Sequence, residues 1–311
     1  MRRLPEDLLG RPQGGIRDEG GGRPSLKYSE IEVISPGTLD GALRVLAEKG
    51  TGCRVIAGGT DVVVGLSDGT IKERCLLDVS RVSELKRIRS FGGWVHVGAG
   101  VTLAECLEDP SLGESVPLLC EAISQVGSTQ IRNLATLAGN VCNASPAADS
   151  LPPLYALEAT LTLRSSDGGR KMAVSDFIAG PRKTVRRPDE LVTEVSVPCM
   201  KSGDGYFFEK LGLRSSRAIA VASVAGLYRV GDPRVALGAV APTVVRARAA
   251  EEMLKREGLS EASVGRVCAL VASAARPIDD IRGSARFRKR AVFGLAYEGF
   301  HRILRGEAGC G

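Results

Sequence analysis

The chain has few of the residues on which hydrolytic and metal-dependent active sites depend. It has two histidines, His96 and His301, and eight cysteines that are spread singly along the sequence. No two cysteines have the close spacing of a zinc ribbon or a ferredoxin-type cluster, which excludes both kinds of site within the chain. We expect the thiols to be reduced and buried. No Ser-His-Asp set, HExxH or paired-carboxylate motif stands out, so the sequence shows no catalytic machinery for hydrolysis.

Other absences narrow the class of protein. Aromatic residues make up 4% of the chain, and its 42 basic and 36 acidic residues are interleaved, so a nucleic-acid surface with a basic stripe and aromatic platforms is not expected. No window of about eighteen apolar residues exists, so no membrane-spanning helix is expected. The first fifteen residues have two arginines followed by acids, prolines and glycines, where a signal peptide needs an apolar run. We therefore expect a cytoplasmic protein.

The length of 311 residues predicts two or three domains. Residues 1–24 are rich in glycine, arginine and proline and cannot bury enough apolar surface to offset the entropy of ordering, so we expect a flexible tail. Residues 25–200 are predicted to form one domain, with lobes at about 25–82 and 83–200. A polar, glycine-containing linker at 201–205 separates it from a last domain at 204–311.

The hydrophobic pattern predicts an α+β fold. Strands at 31–34, 53–57 and 74–78 alternate with helices at 38–49 and 61–66, which is typical of a small parallel α/β lobe. Hairpins over 85–97 and 159–174 and a strand at 191–197 predict a mixed, mainly antiparallel second lobe. Strands at 206–211, 219–230 and 235–240, followed by helices at 246–257, 261–275 and 284–305, predict a three-stranded sheet covered by a helix bundle.

The stretch from Thr129 to Pro152 is unusually dense in small residues. It reads TQIRNLATLAGNVCNASPAADSLP, and around Gly139 its side chains are too small to fill a core. The hydroxyls, amides and carboxylate among them indicate a surface for a polyhydroxylated, phosphate-bearing ligand, which backbone N–H groups can approach closely. No lysine lies within it, so a P-loop nucleotide triphosphatase is disfavoured.

A second loop of the same kind lies upstream. The buried strand predicted at 53–57 leads into Gly58, Gly59, Thr60 and Asp61, where a helix begins. Two such loops, some eighty residues apart, are able to close on a pyrophosphate from both sides. A G-x-G-x-x-L run at 98–103 invites a Rossmann interpretation, but its third glycine is missing and a hairpin precedes it, so we interpret it as a turn.

These motifs resemble a known family. AGGTD at 57–61, QIRN at 130–133 and TLAGNVCNASPAAD at 136–149, in this order and spacing, resemble the FAD-binding medium subunit of the molybdenum hydroxylases, which include xanthine dehydrogenase and carbon monoxide dehydrogenase. The likeness covers residues 25–304. It implies a two-lobed FAD-binding domain of the PCMH type (named for p-cresol methylhydroxylase), followed by a C-terminal domain like that of the carbon monoxide dehydrogenase flavoprotein.

The resemblance also implies FAD as the cofactor and a set of residues around it. The pyrophosphate would be held by Ala57, Gly58, Gly59, Thr60 and Asp61 and by Thr136, Gly139, Asn140 and Asn143. Asp149 would bind ribityl hydroxyls, although it is also placed to be the N-cap of a helix at 150–157. Leu191 and Val192 would run beside the flavin ring, and Lys210 would stabilise the reduced flavin. The segment 131–133 is interpreted as scaffold.

The implied function is electron transfer within a complex. Substrate would be oxidised on a large molybdenum-cofactor subunit, and electrons would pass through a small [2Fe-2S] subunit to this flavin and on to NAD⁺ or another acceptor. The first loop has Gly58-Gly59-Thr60-Asp61 where the carbon monoxide branch tends to GGHS, and no cysteine insert like that of the benzoyl-CoA reductase branch is present, which favours a xanthine dehydrogenase-like enzyme. Ala218-Ile219-Ala220 departs from the family, which often has an acid there.

Two alternatives remain open at this point. The first is a stand-alone FAD oxidase or reductase of the same fold, such as the group that reduces enolpyruvyl cell-wall precursors. It needs an acid or base for the substrate within this chain. The second is a nucleic-acid or scaffold protein that uses the basic residues of the last predicted helix, at 282–290.

Overall fold

A small parallel sheet forms the first lobe in a computed structural model that describes residues 30–214 and 218–307. The predicted tail at 1–24 lies outside the described residues. The sheet order is β1-β3-β2, and all its pairs are parallel. The elements are β1 (Glu32–Ile34), α1 (Leu39–Lys49), β2 (Cys53–Ile56), α2 (Val62–Ser67) and β3 (Cys75–Asp78). The parallel α/β lobe predicted from the sequence is therefore confirmed.

Helix α1 shows why the hydrophobic pattern of the sequence predicts the elements of this lobe. Thr38 caps its start by accepting a hydrogen bond from the Gly41 amide, and Leu39, Leu43 and Leu46 recur at helical spacing on its buried face. That face packs into the main hydrophobic core.

The second lobe is built on an antiparallel sheet of order β4-β5-β10-β6-β7 and also contains several short helices and a two-stranded β8-β9 ribbon. Its strands and helices are β4 (Ile88–Phe91), β5 (Trp94–Gly98), α3 (Leu103–Glu108), α4 (Pro110–Ser115), α5 (Pro117–Ser124), α6 (Thr129–Arg132), α7 (Leu137–Asn143), α8 (Leu151–Ala156), β6 (Thr160–Ser165), β7 (Gly168–Ala173), α9 (Val174–Phe177), β8 (Ile178–Gly180), β9 (Lys183–Thr184) and β10 (Leu191–Pro198). The G-x-G-x-x-L run ends in a capping box between Thr102 and Glu105, as expected for a structural turn.

A four-stranded antiparallel sheet and three helices complete the fold. They are β11 (Gly205–Gly212), β12 (Ala220–Tyr228), β13 (Arg234–Gly238), β14 (Val245–Arg246), α10 (Arg248–Glu257), α11 (Glu261–Ala274) and α12 (Ala285–Leu304). The predicted three-stranded sheet thus gains a fourth strand, β14. A strand of two residues is too short to show an alternating hydrophobic pattern, and the sequence pattern predicts Arg246 as the start of the following helix instead.

This sheet has two buried faces. Side chains alternate along a strand, so Phe207 packs with the helices α10–α12, whereas Phe208 belongs to the core of the second lobe. Lys210, two residues after Phe208, therefore points toward the second lobe. Glu209 points the other way and pairs with Arg302 of α12.

Among the described residues, no helix combines the length and the apolar character needed to cross a membrane.

Two glycines of the last unit should respond in opposite ways to alanine. A Cβ on Gly299 would lie 2.1 Å from the Phe207 ring, whereas Gly294, on the same helix, has nothing within 4 Å. We expect Gly299→Ala to lower the free energy of unfolding by about 1–3 kcal/mol through overpacking, and Gly294→Ala to raise it by up to about 1 kcal/mol through helix propensity. Urea unfolding measures both. Equal effects of the two substitutions would contradict this packing.

Candidate functional site

The first glycine loop leaves the end of β2 and turns sharply. Gly59 has a φ of +73°, a conformation that favours glycine, and its carbonyl accepts the Val63 amide at 2.9 Å. Asp61 is the N-cap residue of α2, but its side chain does not cap the helix. The carboxylate and the Thr60 hydroxyl are therefore not used to start α2.

The two predicted loops meet at Gly58. A Cβ at this position would lie 1.7 Å from the carbonyl oxygen of Leu134 and 3.0 Å from the Ala135 nitrogen, so only glycine fits against that backbone. Ala57 precedes this contact and packs, partly buried, on the main core. The structure thus brings the AGGTD loop against the chain segment that leads into α7, as the paired-loop interpretation requires.

The second loop is held by its own polar side chains. Thr136 is buried, and its hydroxyl oxygen caps α7 by accepting the Gly139 amide at 3.0 Å. Asn140 accepts the Ser150 hydroxyl at 2.6 Å, and Asn143 accepts a guanidinium N–H of Arg182 at 2.8 Å. These contacts fix the shape of the loop, and any binding by these side chains uses their remaining donors and acceptors.

Asp149 and Lys210 form a buried ion pair between the second lobe and the last sheet. The Lys210 ammonium lies 2.5 Å from Oδ2 of Asp149 and also donates to the Gln125 carbonyl at 3.0 Å. Oδ1 of Asp149 is buried and finds no partner in the described parts of the chain. Burial raises the pKa of Asp149 to about 6, against the lowering effect of Lys210, so the carboxylate is mostly ionised at neutral pH.

The alternative prediction, that Asp149 is the N-cap residue of the helix at 150–157, is wrong. The helix α8 begins at Leu151 with Ser150 as its N-cap residue, and no side chain caps it. The Asp149 carboxylate is directed instead at Lys210, because β11 presents that ammonium beside it.

Leu191 and Val192 begin β10, and both side chains are buried in the main core. Val192 pairs with Leu163 of β6, and the strand register shifts between Val192 and Glu194. The structure leaves little side-chain surface of either residue for a ligand, so contact with one would fall mainly to their backbone.

An open pocket of about 370 Å³ lies beside the ion pair. It is lined by Gln125, Gly127, Arg132, Lys210 and Gly212, together with serines, a threonine, Arg214 and Ala218, and it contains no carboxylate or histidine among the described lining residues. The volume falls in the ordinary range of small-molecule sites. Three cationic residues and several polar groups make the pocket suited to an anionic or polar ligand.

Sequence reasoning missed this pocket. Arg132 donates to the Val126 carbonyl at 3.1 Å, as a scaffold residue would, but it also lines the pocket. The sequence contains the QIRN motif and Lys210, which both contribute to the pocket, but no spacing between them shows that they meet. Neither indicates which side chains face open space.

Comparison with known proteins matches both parts of the chain. The family model described as the FAD binding domain in molybdopterin dehydrogenase matches residues 29–200, and the one described as the CO dehydrogenase flavoprotein C-terminal domain matches residues 208–303. The nicotinate dehydrogenase FAD-subunit of Eubacterium barkeri is 31% identical over 292 residues, which are 90% of this chain and 99% of the relative.

Solved structures agree with the sequence matches. Quinoline 2-oxidoreductase from Pseudomonas putida 86 superposes with a TM-score of 0.84 at 26% identity, over 90% of this chain and 99% of that one. A carbon monoxide dehydrogenase from Hydrogenophaga pseudoflava superposes with a TM-score of 0.82 at 27% identity, over 86% of this chain and 95% of that one. The chain therefore belongs to the family of FAD-binding oxidoreductase subunits of the molybdenum hydroxylases, as its motifs and fold indicated.

Proposed function

We propose that the chain is the electron-transfer subunit of a molybdenum hydroxylase complex. It takes electrons from the [2Fe-2S] clusters of a small subunit, after oxidation of substrate on a large molybdenum-cofactor subunit, and passes them to NAD⁺ or another acceptor. The observation that carries this proposal is the open, cationic pocket beside the Lys210–Asp149 pair. With no carboxylate or histidine among its described lining residues, the pocket suits an electron acceptor better than an organic substrate that must be deprotonated.

The geometry fits FAD. The unpartnered Oδ1 of Asp149 is an acceptor for a ribityl hydroxyl. The Gly58 contact brings the backbone of the first loop to the start of α7, where Gly59 and Thr60 offer N–H and hydroxyl groups to a diphosphate. Bound FAD supplies the redox chemistry, because a flavin accepts electrons singly and delivers them in pairs.

Lys210 is proposed to stabilise the reduced flavin, as the resemblance implies. Its ammonium is buried with Asp149 and also lines the pocket, so a negative charge that develops there is stabilised at low local dielectric. The negative charge of Asp149 reduces this stabilisation, and its hydrogen bond from Lys210 holds the ammonium in place. The pair would therefore set the redox potential of the bound cofactor.

The assembly is proposed from the relatives, and the type of enzyme is proposed from this chain's own sequence. The Eubacterium barkeri protein is named as the FAD subunit of its enzyme, and the Hydrogenophaga pseudoflava structure is described as lacking the Mo-pyranopterin moiety of the molybdenum cofactor. Nicotinate dehydrogenase, quinoline 2-oxidoreductase and carbon monoxide dehydrogenase chains all resemble this one, so a xanthine dehydrogenase-like enzyme is proposed only from the first loop at 58–61 and from the lack of a cysteine insert. The cytoplasmic location and the domain boundary at 201–205 stay predictions.

Loss of the Gly58 contact should release the cofactor. We expect the wild-type chain, saturated with FAD, to keep the flavin through gel filtration, and Gly58→Ala to weaken FAD binding about tenfold or more, a change of about 1.4 kcal/mol, because a Cβ forces the loops apart. Gly52→Ala, where nothing lies within 4 Å, is the matched control. A wild-type chain that elutes without flavin would rule out the proposed function.

The identity of the acceptor can be tested on the isolated chain loaded with FAD. If NAD⁺ is the acceptor, NADH should bleach the flavin absorbance under anaerobic conditions as dithionite does. Bleaching by dithionite but not by NADH would assign another acceptor. Bleaching by xanthine or another organic substrate, without partner chains, would instead support a stand-alone oxidoreductase.

The ion pair should tune the flavin potential in two directions. We expect Lys210→Met to lower the midpoint potential of bound FAD and Asp149→Asn to raise it, each by tens of millivolts, since about 30 mV corresponds to 1.4 kcal/mol for two electrons. Lys255→Met, on the exposed side of α10, should leave it unchanged. Redox titration measures all three. Shifts of the same sign in both pair variants would indicate disturbance of structure and not electrostatics.

A further inference from the structure

Two cysteines face each other inside the first lobe, away from the pocket. Cys53 opens β2 and Cys75 opens β3, and the parallel register pairs them directly. Their sulfurs are 2.7 Å apart, and both residues are buried. None of the roles proposed above uses either thiol.

The arrangement satisfies the geometry of a covalent link. Neighbouring strands lie about 4.8 Å apart, within the roughly 4.4–6.8 Å between Cα atoms that a disulfide spans. An S–S bond is about 2.0 Å long, so the sulfurs need to approach by only about 0.7 Å. We propose that Cys53 and Cys75 are an oxidation site that forms an intrachain disulfide between β2 and β3.

The surroundings determine which oxidant can act. Burial raises the pKa of Cys53 to about 12, with the neighbouring Cys75 adding to the rise and the Lys49 ammonium opposing it. The raised pKa keeps the thiolate rare and slows oxidation, and burial of both residues keeps out bulky or charged reagents, so a small neutral peroxide is the fitting class of oxidant.

The chemistry balances with hydrogen peroxide alone. One thiolate attacks the O–O bond, which breaks to give a sulfenic acid and, after protonation, one water. The second sulfur then attacks the sulfenic sulfur, so that the S–S bond forms, the S–O bond breaks and a second water leaves. Two thiols and one peroxide become one disulfide and two waters.

The link would strengthen the lobe that carries the first glycine loop. It joins the strand that runs into Gly58 to the neighbouring strand and closes the chain between residues 53 and 75, which restricts the unfolded state. This role does not depend on FAD, so it stands or falls separately from the proposed function.

Peptide mapping tests the proposal. The full chain is reduced, desalted, treated with hydrogen peroxide, alkylated with N-ethylmaleimide in acid-quenched denaturant and digested with trypsin without reductant. We expect residues 50–54 linked to residues 75–81, with the link absent from Cys53→Ser and Cys75→Ser and retained in Cys268→Ser, whose thiol is buried in the other core. The oxidised wild type should also unfold several degrees above its reduced form, and Cys75→Ser should show no such rise.

Two results would overturn it. The first is full alkylation of Cys53 and Cys75 after peroxide treatment, or linkage of either to a different cysteine. The second is a linked chain whose unfolding temperature is not raised, which would remove the stabilising role.

Discussion

The contact between Gly58 and the Leu134 carbonyl is the constraint on which the site depends. It joins the turn after β2 to the backbone that leads into α7, so at this point the parallel lobe and the antiparallel lobe meet through main chain, beside the side-chain core that the two lobes share. Backbone N–H groups from two lobes can then face one ligand. A larger residue at position 58 would separate them by more than an ångström, which hydrogen bonds to a diphosphate do not tolerate.

The second constraint on the site is the alternation of side chains along β11. Phe208 and Lys210 share the face that packs on the second lobe, which carries the ammonium to Asp149 at the start of α8. Burying two charges is costly unless their hydrogen bonds are complete. Oδ1 of Asp149 has no partner in the described structure, and such an atom costs about 1–3 kcal/mol. A ligand hydroxyl that satisfies it would recover that free energy, so the chain is built to gain stability on binding.

Much of this could be predicted from the sequence. Periodicity and glycine turns locate the elements of the parallel lobe to within a residue or two, and the motifs at 57–61 and 136–149 indicate the family.

The other features of the site depend on contacts between residues that are distant in sequence. The pairing of Asp149 with Lys210 spans 61 positions, so local patterns offered only a helix N-cap beside the ligand role that the resemblance implied. The pocket at Arg132 depends on how α6 lies against β11, which no spacing reveals. Likewise, the pairing of Cys53 with Cys75 follows from strand register, whereas the sequence shows two isolated cysteines.

The most direct measurement is hydrogen–deuterium exchange of the isolated chain with and without stoichiometric FAD. If both loops and β11 enclose one cofactor, protection should rise together in peptides that cover residues 57–63, 134–143 and 208–212, while α10 and α11 stay unchanged. Protection of only one loop, or tight FAD binding with neither loop protected, would contradict the account.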